Sequence, residues 1–331
     1  MFLRSNKIFL LGIIFLTTVR VHTERIKATS AYTYIRNYEV AKKGYTTTKN
    51  GDFIVVKENM SLPNSYDASS TIEINDVVQT NVLISITKNN TFLDLNNKAI
   101  TANKIGYIAI GIADGVSGVT IKNGTFEDFE SAIIIGKNTT DLTFENLTIR
   151  GCSHTDGAIR FKGTAEHFHN LVCFNNIRIY KSTARAFTCS NIRNLHLNNI
   201  TCCSNIVPTS TSLISIHSCN NIRMQNITAN NDQRTGGTTG LEFTNCRDIV
   251  LQESLFSNNS DSLDGSYTIG IKINNSDHML IVNTDINNLT QAKSGIEITD
   301  SKNIDLEDVT ISNCSSGSNH SFIGVLLSNA K

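Results

Sequence analysis

Residues 141–150 read DLTFENLTIR, and the Asn146-Leu-Thr-Ile149 segment within them is a motif that returns through the chain. Each copy approximates the form asparagine, apolar, any residue, apolar, and successive copies are 23 to 31 residues apart. The clear copies begin at Asn97, Asn123, Asn146, Asn176, Asn199 and Asn226, and weaker copies begin at Ser254, Asp285 and Asp308. A period of this size is typical of repeat proteins, in which each unit must stack on its neighbours to bury its apolar face.

Each repeat also contains short runs in which apolar and polar residues alternate. Examples are Gly240-Leu-Glu-Phe243 and Ile249-Val-Leu251, and Asn, Ser, Gly and Asp separate such runs. Period-2 runs bounded by turn residues predict strands, and no segment between them is long and periodic enough to predict a helix. One repeat is therefore expected to be one coil of an all-β solenoid.

Composition fits one domain of this kind and narrows the partners. Hydrophobic residues make up 40% of the 331, and the chain contains only 2 prolines, so no proline-rich linker divides it. The 29 Lys and Arg residues balance 29 Asp and Glu residues. Because nucleic-acid binding needs a basic surface, this balance argues against DNA or RNA as a partner.

The N-terminus has the pattern of an export signal. Arg4 and Lys7 precede the apolar run from Ile8 to Val19, which suits a signal-peptide core and is short for a membrane span. We therefore predict a signal peptide over residues 1–23, no membrane span after its removal, and a secreted, periplasmic or cell-surface protein. The cleavage site is poorly marked between Thr17 and Thr23, so an uncleaved anchor stays an alternative.

The repeated asparagine has a structural explanation. At a tight turn its side-chain amide can donate to the coil on one side and accept from the coil on the other, which forms a ladder along the solenoid. The ladder predicted here consists of Asn97, Asn123, Asn146, Asn176, Asn199 and Asn226.

The segment Phe92-Leu-Asp-Leu-Asn-Asn-Lys-Ala-Ile100 and the repeats that follow it resemble the right-handed parallel β-helix proteins of the pectin-lyase-like superfamily. The resemblance implies an all-β, right-handed parallel β-helix (solenoid) of about nine coils over residues 91–331, preceded by an N-terminal cap region over residues 24–90. It does not specify an activity, because the same scaffold occurs in lyases, hydrolases, epimerases, adhesins and phage-tail proteins.

The catalytic motifs of the enzymatic members are largely missing. Galacturonan hydrolases of the superfamily carry NTD, DD, GHG and RIK motifs in that order, whereas this chain has Asn283-Thr-Asp285, no DD or GHG, and its only RIK at Arg25 to Lys27. Inverting hydrolysis needs two carboxylates facing one sugar, so we interpret both matches as chance. No arginine pair of the pectate-lyase RxPxxR type surrounds Pro63 or Pro208. Whether the protein is an enzyme stays open; a lyase-like or hydrolase-like activity is the form it would take.

Aligning the strands on their inward residues predicts a polar groove on the outer strand face. One outward column contains Ile134, Arg160, Thr188, Ser215, Glu242, Lys272, Glu297 and Leu326, and a second contains Gly136, Lys162, Ser190, His217, Thr244, Asn274, Thr299 and Ser328. In the functional hypothesis Arg160 and Lys162 contact an anionic sugar, His217 or Glu242 acts as acid or base, and Lys272 and Glu297 complete the binding surface. In the alternative, Glu242, Lys272 and Glu297 are opposite charges that pair on a solvated sheet.

The aromatic content favours one class of ligand. The chain has no tryptophan, and after residue 110 its only tyrosines are Tyr180 and Tyr267. Because neutral sugars often stack on aromatic rings, an acidic polysaccharide or cell-surface glycan is the favoured partner. A non-enzymatic surface, adhesion or structural protein is the alternative function.

Four further hypotheses concern single groups of residues. His167 and His169 form an HxH pair that could begin a metal site, next to His154, Asp156 and Cys173 in the long coil. No cofactor is predicted, and a bound calcium ion stays an alternative. Among 8 cysteines, Cys219 and Cys246 fall in one column of adjacent coils and are candidates for a disulfide. The last coil, which contains Phe322-Ile-Gly-Val-Leu-Leu327, lacks a recognisable cap, so oligomerisation through it is a further hypothesis.

Overall fold

The computed structural model describes the part of the chain that carries the repeats. All described residues belong to one unit that runs from Tyr32 to Lys331. The predicted signal peptide and Lys162 lie outside the described residues. The described residues are 33–35, 45–62, 72–74, 77–79, 81–102, 106–161, 166–183, 185–207, 211–230, 233–234, 239–257, 260–261, 268–316 and 321–330.

Regular structure in these residues consists of strands. No helix that is long and apolar enough to cross a membrane occurs in the described part of the chain. In chain order the strands are β1 (Thr33–Ile35), β2 (Tyr45–Thr46), β3 (Phe53–Val56), β4 (Met60–Ser61), β5 (Ile72–Ile74), β6 (Val77–Gln79), β7 (Val82–Ile86), β8 (Phe92–Thr101), β9 (Ile108–Ile112), β10 (Ser117–Glu127), β11 (Ser131–Ile135), β12 (Thr140–Arg150), β13 (Ile159–Phe161), β14 (His169–Tyr180), β15 (Phe187–Ser190), β16 (Ile192–Cys203), β17 (Ile206–Val207), β18 (Ser212–His217), β19 (Asn220–Asn230), β20 (Gln233–Arg234), β21 (Thr239–Thr244), β22 (Arg247–Gln252), β23 (Leu255–Ser257), β24 (Ser260–Asp261), β25 (Thr268–Asn274), β26 (Asp277–Asn287), β27 (Ala292–Thr299), β28 (Lys302–Ser312) and β29 (Ile323–Ser328).

Two parallel sheets contain most of these strands. Sheet A has 13 strands with the central order β3-β8-β10-β12-β14-β16-β19-β22-β26, and sheet B has 11 strands in the order β2-β7-β9-β11-β13-β15-β18-β21-β25-β27-β29. Neighbours within a sheet are one coil apart, as where Phe144 of β12 lies opposite Phe174 of β14. The chain alternates between the sheets through about eight turns. The all-β, right-handed parallel β-helix predicted from the sequence is confirmed, and both sheets extend into the predicted cap region through β2, β3, β4 and β7.

The core lies between the sheets and is built from stacked identical positions. On sheet B one inward column contains Ile110, Ile133, Ile159, Phe187, Ile214, Leu241, Ile271 and Ile296, all fully buried. On sheet A, the Phe144 and Phe174 rings stack with centroids 4.5 Å apart. Because each apolar side chain packs against its equivalent in the next coil, the repeat length can vary while the register remains constant.

The motif asparagines lie in the middle of the long sheet A strands, where each strand bends. Their φ angles lie between 52° and 57°, in the left-handed region that asparagine tolerates better than most residues. The side-chain Nδ2 of Asn146 donates to Asn123 Oδ1 at 3.0 Å, Asn176 to Asn146 at 2.8 Å, Asn199 to Asn176 at 3.1 Å and Asn226 to Asn199 at 3.1 Å. These bonds form a continuous ladder.

The ladder differs from the sequence prediction at both of its ends. Asn123 donates to Asp94 Oδ1 at 3.2 Å and not to Asn97, because the register between β8 and β10 shifts beside Asn97. In the later coils, Gln225 pairs with Gln252, and Gln252 pairs with Val282. The residues that follow these pairs, Glu253 and Asn283, therefore occupy the ladder column after Asn226. The weaker copies assigned to Ser254 and Asp285 are therefore wrong by one and two residues.

The two corners between the sheets differ in length. Where the chain leaves sheet B in the later coils, two residues separate the strands, as between His217 and Asn220, Thr244 and Arg247, or Thr299 and Lys302. Where it leaves sheet A in the same region, four residues separate Asn287 from Ala292 and ten separate Ser257 from Thr268. The variable repeat length is therefore absorbed at the corner where sheet A ends.

The short corner has its own stack of small polar side chains. The backbone N–H of Cys246 donates to Ser276 Oγ at 3.1 Å, and that of Ser276 donates to Ser301 Oγ at 3.0 Å. Cys219 and Cys246 occupy equivalent places, and their thiols donate to His217 O and Thr244 O at 3.3 Å. Both cysteines of the suggested disulfide are free. Burial raises the pKa of the Cys219 thiol well above its usual range, so it stays protonated near neutral pH.

A hairpin covers the outer face of sheet B in the first coils. Strands β5 and β6 pair antiparallel, and Ile72 and Ile74 pack with Val82, Ile108 and Ile134 in a small second core. In the last described coil, by contrast, the apolar side chains of Leu306, Ile323, Val325 and Leu327 are 37% to 62% exposed. The hypothesis of oligomerisation through this coil stays a prediction.

Candidate functional site

In sheet B the residues of each predicted outward column lie opposite one another on neighbouring strands. Successive pairings join Ile134, Arg160, Thr188, Ser215, Glu242, Lys272, Glu297 and Leu326 in one column. The second column joins Ser190, His217, Thr244, Asn274, Thr299 and Ser328. We call the polar part of these columns, from Thr188 and Ser190 to Glu297 and Thr299, the strand-face strip.

The column does not begin as open surface. Ile134 is 1% exposed because the β5–β6 hairpin covers it, and Arg160 in the next coil is only 5% exposed. The open strip therefore starts beyond Arg160. An outward-facing position on a strand was interpreted as a solvent-facing one, and that interpretation is wrong for these two residues.

Arg160 is surrounded by three side chains that we call, together with it, the Arg160 cluster: Glu130, His154 and Asp156. Its Nη1 lies 3.1 Å from Nδ1 and 2.9 Å from Nε2 of His154, and 3.8 Å from Asp156 Oδ2. Glu130 Oε1 lies 3.4 Å from His154 Nε2. The Asp156 N–H donates to His154 Nδ1 at 3.0 Å.

Burial shapes the electrostatics of the cluster. It lowers the pKa of Arg160 from its ordinary value, while Asp156 and Glu130 act in the opposite direction. The Arg160 Nε is buried and has no hydrogen-bond partner in the described structure, and the same is true of Arg185 Nε in the next coil. Thr188 Oγ1 donates to the Asp156 carbonyl, which joins the cluster to the first residue of the strip.

The arrangement brings the imidazole of His154 between two carboxylates and beside the guanidinium of Arg160. These are the groups that proton transfer to or from a bound ligand requires. Sequence reasoning had grouped His154 and Asp156 with His167, His169 and Cys173, and it missed Glu130. The only sequence signal for Glu130 is its place directly before β11, one coil from Asp156.

In the later coils the charges of the strip pair with each other. Lys272 Nζ lies 3.5 Å from Glu242 Oε1, and Ser212 Oγ donates to Glu242 Oε2 at 2.5 Å. Glu297 binds Lys293 at 2.5 Å, within its own strand. His217 is exposed in the second column, and the structure does not bring it into the Arg160 cluster. The assignment of Arg160, His217 and Glu242 to one catalytic group stays a prediction.

The HxH pair is divided between surface and core. His169 is fully buried, its Nδ1 lies 2.7 Å from Thr139 Oγ1, and burial lowers its pKa to about 4. His167 contacts the side chain of Asn138 on the surface. Within the described residues no group of three or more His, Cys, Asp or Glu side chains is arranged to hold a metal ion.

The remaining hydrolase-like match lies on the other sheet. Asn283 is the left-handed residue of β26, and Asp285 is exposed on sheet A, where it pairs with Leu255 and Thr310. Asp285 therefore lies on the opposite sheet from the strand-face strip, and the interpretation of the NTD match as chance stays a prediction.

Comparison with known proteins gives only distant likenesses. No protein-family model and no curated protein matches the chain. Among solved structures, it is similar to the A-module of a mannuronan C-5 epimerase of Azotobacter vinelandii, with 12% identity over 85% of this chain and 93% of that one, at a TM-score of 0.38. It is also similar to a surface protein and adhesin of Streptococcus pneumoniae, with 13% identity over 90% and 91% of the two chains, at a TM-score of 0.36. The catalytic domain of a GH87 α-1,3-glucanase in complex with nigerose has 12% identity over 89% of this chain and 68% of that one, at a TM-score of 0.33. Scores at this level carry no argument, and the parallel β-helix rests on the strand register.

Proposed function

We propose that the strand-face strip binds an acidic polysaccharide that runs across the strands, along successive coils. The observation that carries the proposal is the polar character of both outward columns over five coils, from β15 to β27. Their members are Thr188, Ser215, Glu242, Lys272 and Glu297 in one column and Ser190, His217, Thr244, Asn274 and Thr299 in the other.

The spacing of the strip suits a polymer. Neighbouring strands lie about 4.8 Å apart, so similar hydroxyl, amide and charged groups recur at every coil. A ligand with a repeating backbone can then make several equivalent contacts at once, and linked contacts strengthen one another.

A cation on the strip favours an acidic ligand. Lys272 is 32% exposed there, so its ammonium group can contact an anionic group of a ligand. Lys162, predicted for the same surface from sequence alone, stays a prediction. The two columns contain no Phe, Tyr or Trp from Thr188 to Thr299, so recognition depends on charge and hydrogen bonds and not on stacking.

Processing of the polymer, as distinct from binding, would take place at the Arg160 cluster. There His154 and its flanking carboxylates can exchange a proton with a bound ligand. Binding is the function proposed; turnover is an outcome that the assay below decides.

A second candidate is a non-enzymatic surface, adhesion or structural role. The observation that favours it is the mutual pairing of Glu242 with Lys272 and of Glu297 with Lys293. Charges paired in this way stabilise a solvated sheet without any ligand.

Two lysines make a matched test. Lys272 is 32% exposed and lies 3.5 Å from its carboxylate, and Lys122 on sheet A is 28% exposed and lies 3.9 Å from Asp94. We expect immobilised polyuronates to bind the protein, Lys272→Gln to weaken binding severalfold, and Lys122→Gln to leave it unchanged. New reducing ends and unsaturated products are followed in the same samples, with and without calcium. Equal effects of the two variants, or no binding across acidic and neutral polymers by the folded protein, would contradict the proposal and favour the surface role.

A further inference from the structure

The outer face of sheet A contains a trough that the strand-face strip does not involve. It consists of two adjoining depressions of about 220 and 280 Å³ that share Arg223 and Val250. Each sheet A strand bends twice in this region, and the floor of the trough lies between the two bends. The ladder column forms one bend. The other bend is a second column of left-handed residues: Asn221 in β19, Asp248 in β22, His278 in β26 and Asn303 in β28.

The floor of the trough has a fixed order of side chains. The register joins His196, Arg223, Val250, Leu280 and Asp305 in one column of successive coils. The floor is therefore cationic at one end, apolar in the middle and acidic at the other end. Arg223 and Asp305 form no ion pair within the described residues, in contrast to Lys272 and Glu242 on sheet B.

One wall of the trough carries amides. Asn198, Gln225 and Gln252 lie in one column beside the floor. Gln225 Nε2 donates to Glu253 Oε2 at 2.8 Å, which leaves its side-chain carbonyl free to accept. Side-chain amides both donate and accept, as the backbone of an extended peptide does.

We propose that this trough docks an extended peptide in which an acidic, an apolar and a basic side chain occupy alternate positions. Arg223 and Asp305 are three coils apart, which is about 14 Å. An extended peptide rises about 3.3 Å per residue and directs every second side chain to the same face, so its residues 1, 3 and 5 span about 13 Å. The acidic residue meets Arg223, the apolar residue lies on Val250 and Leu280, and the basic residue meets Asp305.

The trough favours a peptide over a neutral sugar because its floor combines aliphatic side chains with two unpaired charges of opposite sign and contains no Phe, Tyr or Trp on which a sugar ring could stack. The proposal is independent of the polysaccharide site, because it concerns the other sheet. Its failure would leave the strand-face strip untouched.

The test uses a fluorescein-labelled peptide with blocked ends, Gly-Asp-Ser-Leu-Ser-Lys-Gly, and a partner peptide in which the acidic residue is replaced by lysine. Anisotropy titrations of the full chain are expected to show saturable binding of the first peptide. Arg223→Glu should weaken that binding about tenfold, because an attraction becomes a repulsion, and should strengthen binding of the two-lysine peptide by a similar factor.

Arg178→Glu is the matched control. Arg178 is exposed on sheet A beyond the ladder, where it lies over the Tyr180 ring, and its replacement should leave both affinities unchanged. Far-UV circular dichroism checks that each variant is folded. The proposal is overturned if neither peptide binds up to millimolar concentration, or if Arg223→Glu does not alter the preference between them. The proposal is also overturned if Arg223→Glu abolishes binding of an acidic oligosaccharide but does not change peptide binding. That result would assign the trough to glycans.

Discussion

The ladder column of sheet A and the outward column of sheet B run through the same coils but behave differently. From Asn123 to Asn226 every ladder member is asparagine and makes the same bond to its neighbour. On sheet B the equivalent run contains an isoleucine under a hairpin, a buried arginine in a cluster, two small hydroxyl residues and a surface ion pair.

The backbone explains the contrast. At the ladder a left-handed φ restricts the residue type, so the chain repeats one solution. On a straight strand any side chain fits the backbone, and its environment is decided by whichever loop or hairpin lies over it. The second left-handed column of sheet A varies more, with Asn221, Asp248, His278 and Asn303, so a backbone requirement favours repetition without enforcing it.

The largest expected effect separates two members of the sheet B column. Arg160→Met removes a buried cation from beside half-buried Glu130 and His154 and exposed Asp156, and it should lower the free energy of unfolding by about 2 kcal/mol. Lys272→Met, in the same column, should cost about 0.5 kcal/mol because its pair is solvated. Urea denaturation at pH 7 measures both. Similar losses for the two variants would show that the column is uniform after all.

A buried polar member of the core should give a pH-dependent stability. The pKa of His169 is about 4 in the folded protein because of burial, and it is near 6.5 when the chain unfolds. Between these values the unfolded state binds more protons, so stability present above pH 6.5 is lost as the pH falls towards 4. We expect a loss of about 2 kcal/mol between pH 7 and pH 5. His169→Gln should remove that part of the pH dependence in urea titrations, and an unchanged slope would refute the assignment.

Two substitutions at one ladder position separate the contribution of the side-chain hydrogen bonds from that of the left-handed backbone. Asn176→Ala removes the bonds to Asn146 and Asn199 and places a Cβ residue without a compensating side chain at φ 56°. We expect a cost of about 1.5 kcal/mol for alanine and about 0.5 kcal/mol for Asn176→Gly, because glycine tolerates this φ. Thermal unfolding compares the two, and equal costs would mean that the hydrogen bonds, not the backbone, dominate.

The smallest effect concerns the point where the ladder ends. Glu253 occupies the ladder column at φ 52°, next to Asn226. Glu253→Asn should extend the ladder by one bond and relieve an unfavourable φ, which should stabilise the protein by about 0.5 kcal/mol. Gln225→Ala, which removes the present partner of Glu253, is the control, since it should not reproduce the gain. A destabilised Glu253→Asn would show that this coil has a different geometry.

Sequence reasoning found the features that have a local cause. The left-handed bends favour asparagine, and strand alternation assigns each residue to a face, so the ladder from Asn123 to Asn226 and both sheet B columns could be aligned from the sequence. It did not find what depends on distant segments. The hairpin that covers Ile134 is about sixty residues earlier in the chain, and Glu130 reaches His154 from the preceding coil. The register shift at Asn97 also has no sequence signature beyond one more asparagine.

Because the corner at the end of sheet A varies in length, the protein can serve as a scaffold that displays inserted peptides. Ten residues already separate Ser257 from Thr268, while the neighbouring coil connects Asn287 to Ala292 with four, and the sheet A strands of both coils pair with their neighbours. A peptide inserted between Asp261, the last residue of β24, and Thr268 should project from the coil without displacing a strand. A single residue inserted between Thr244 and Arg247 would instead reverse which side chains of β22 face the core.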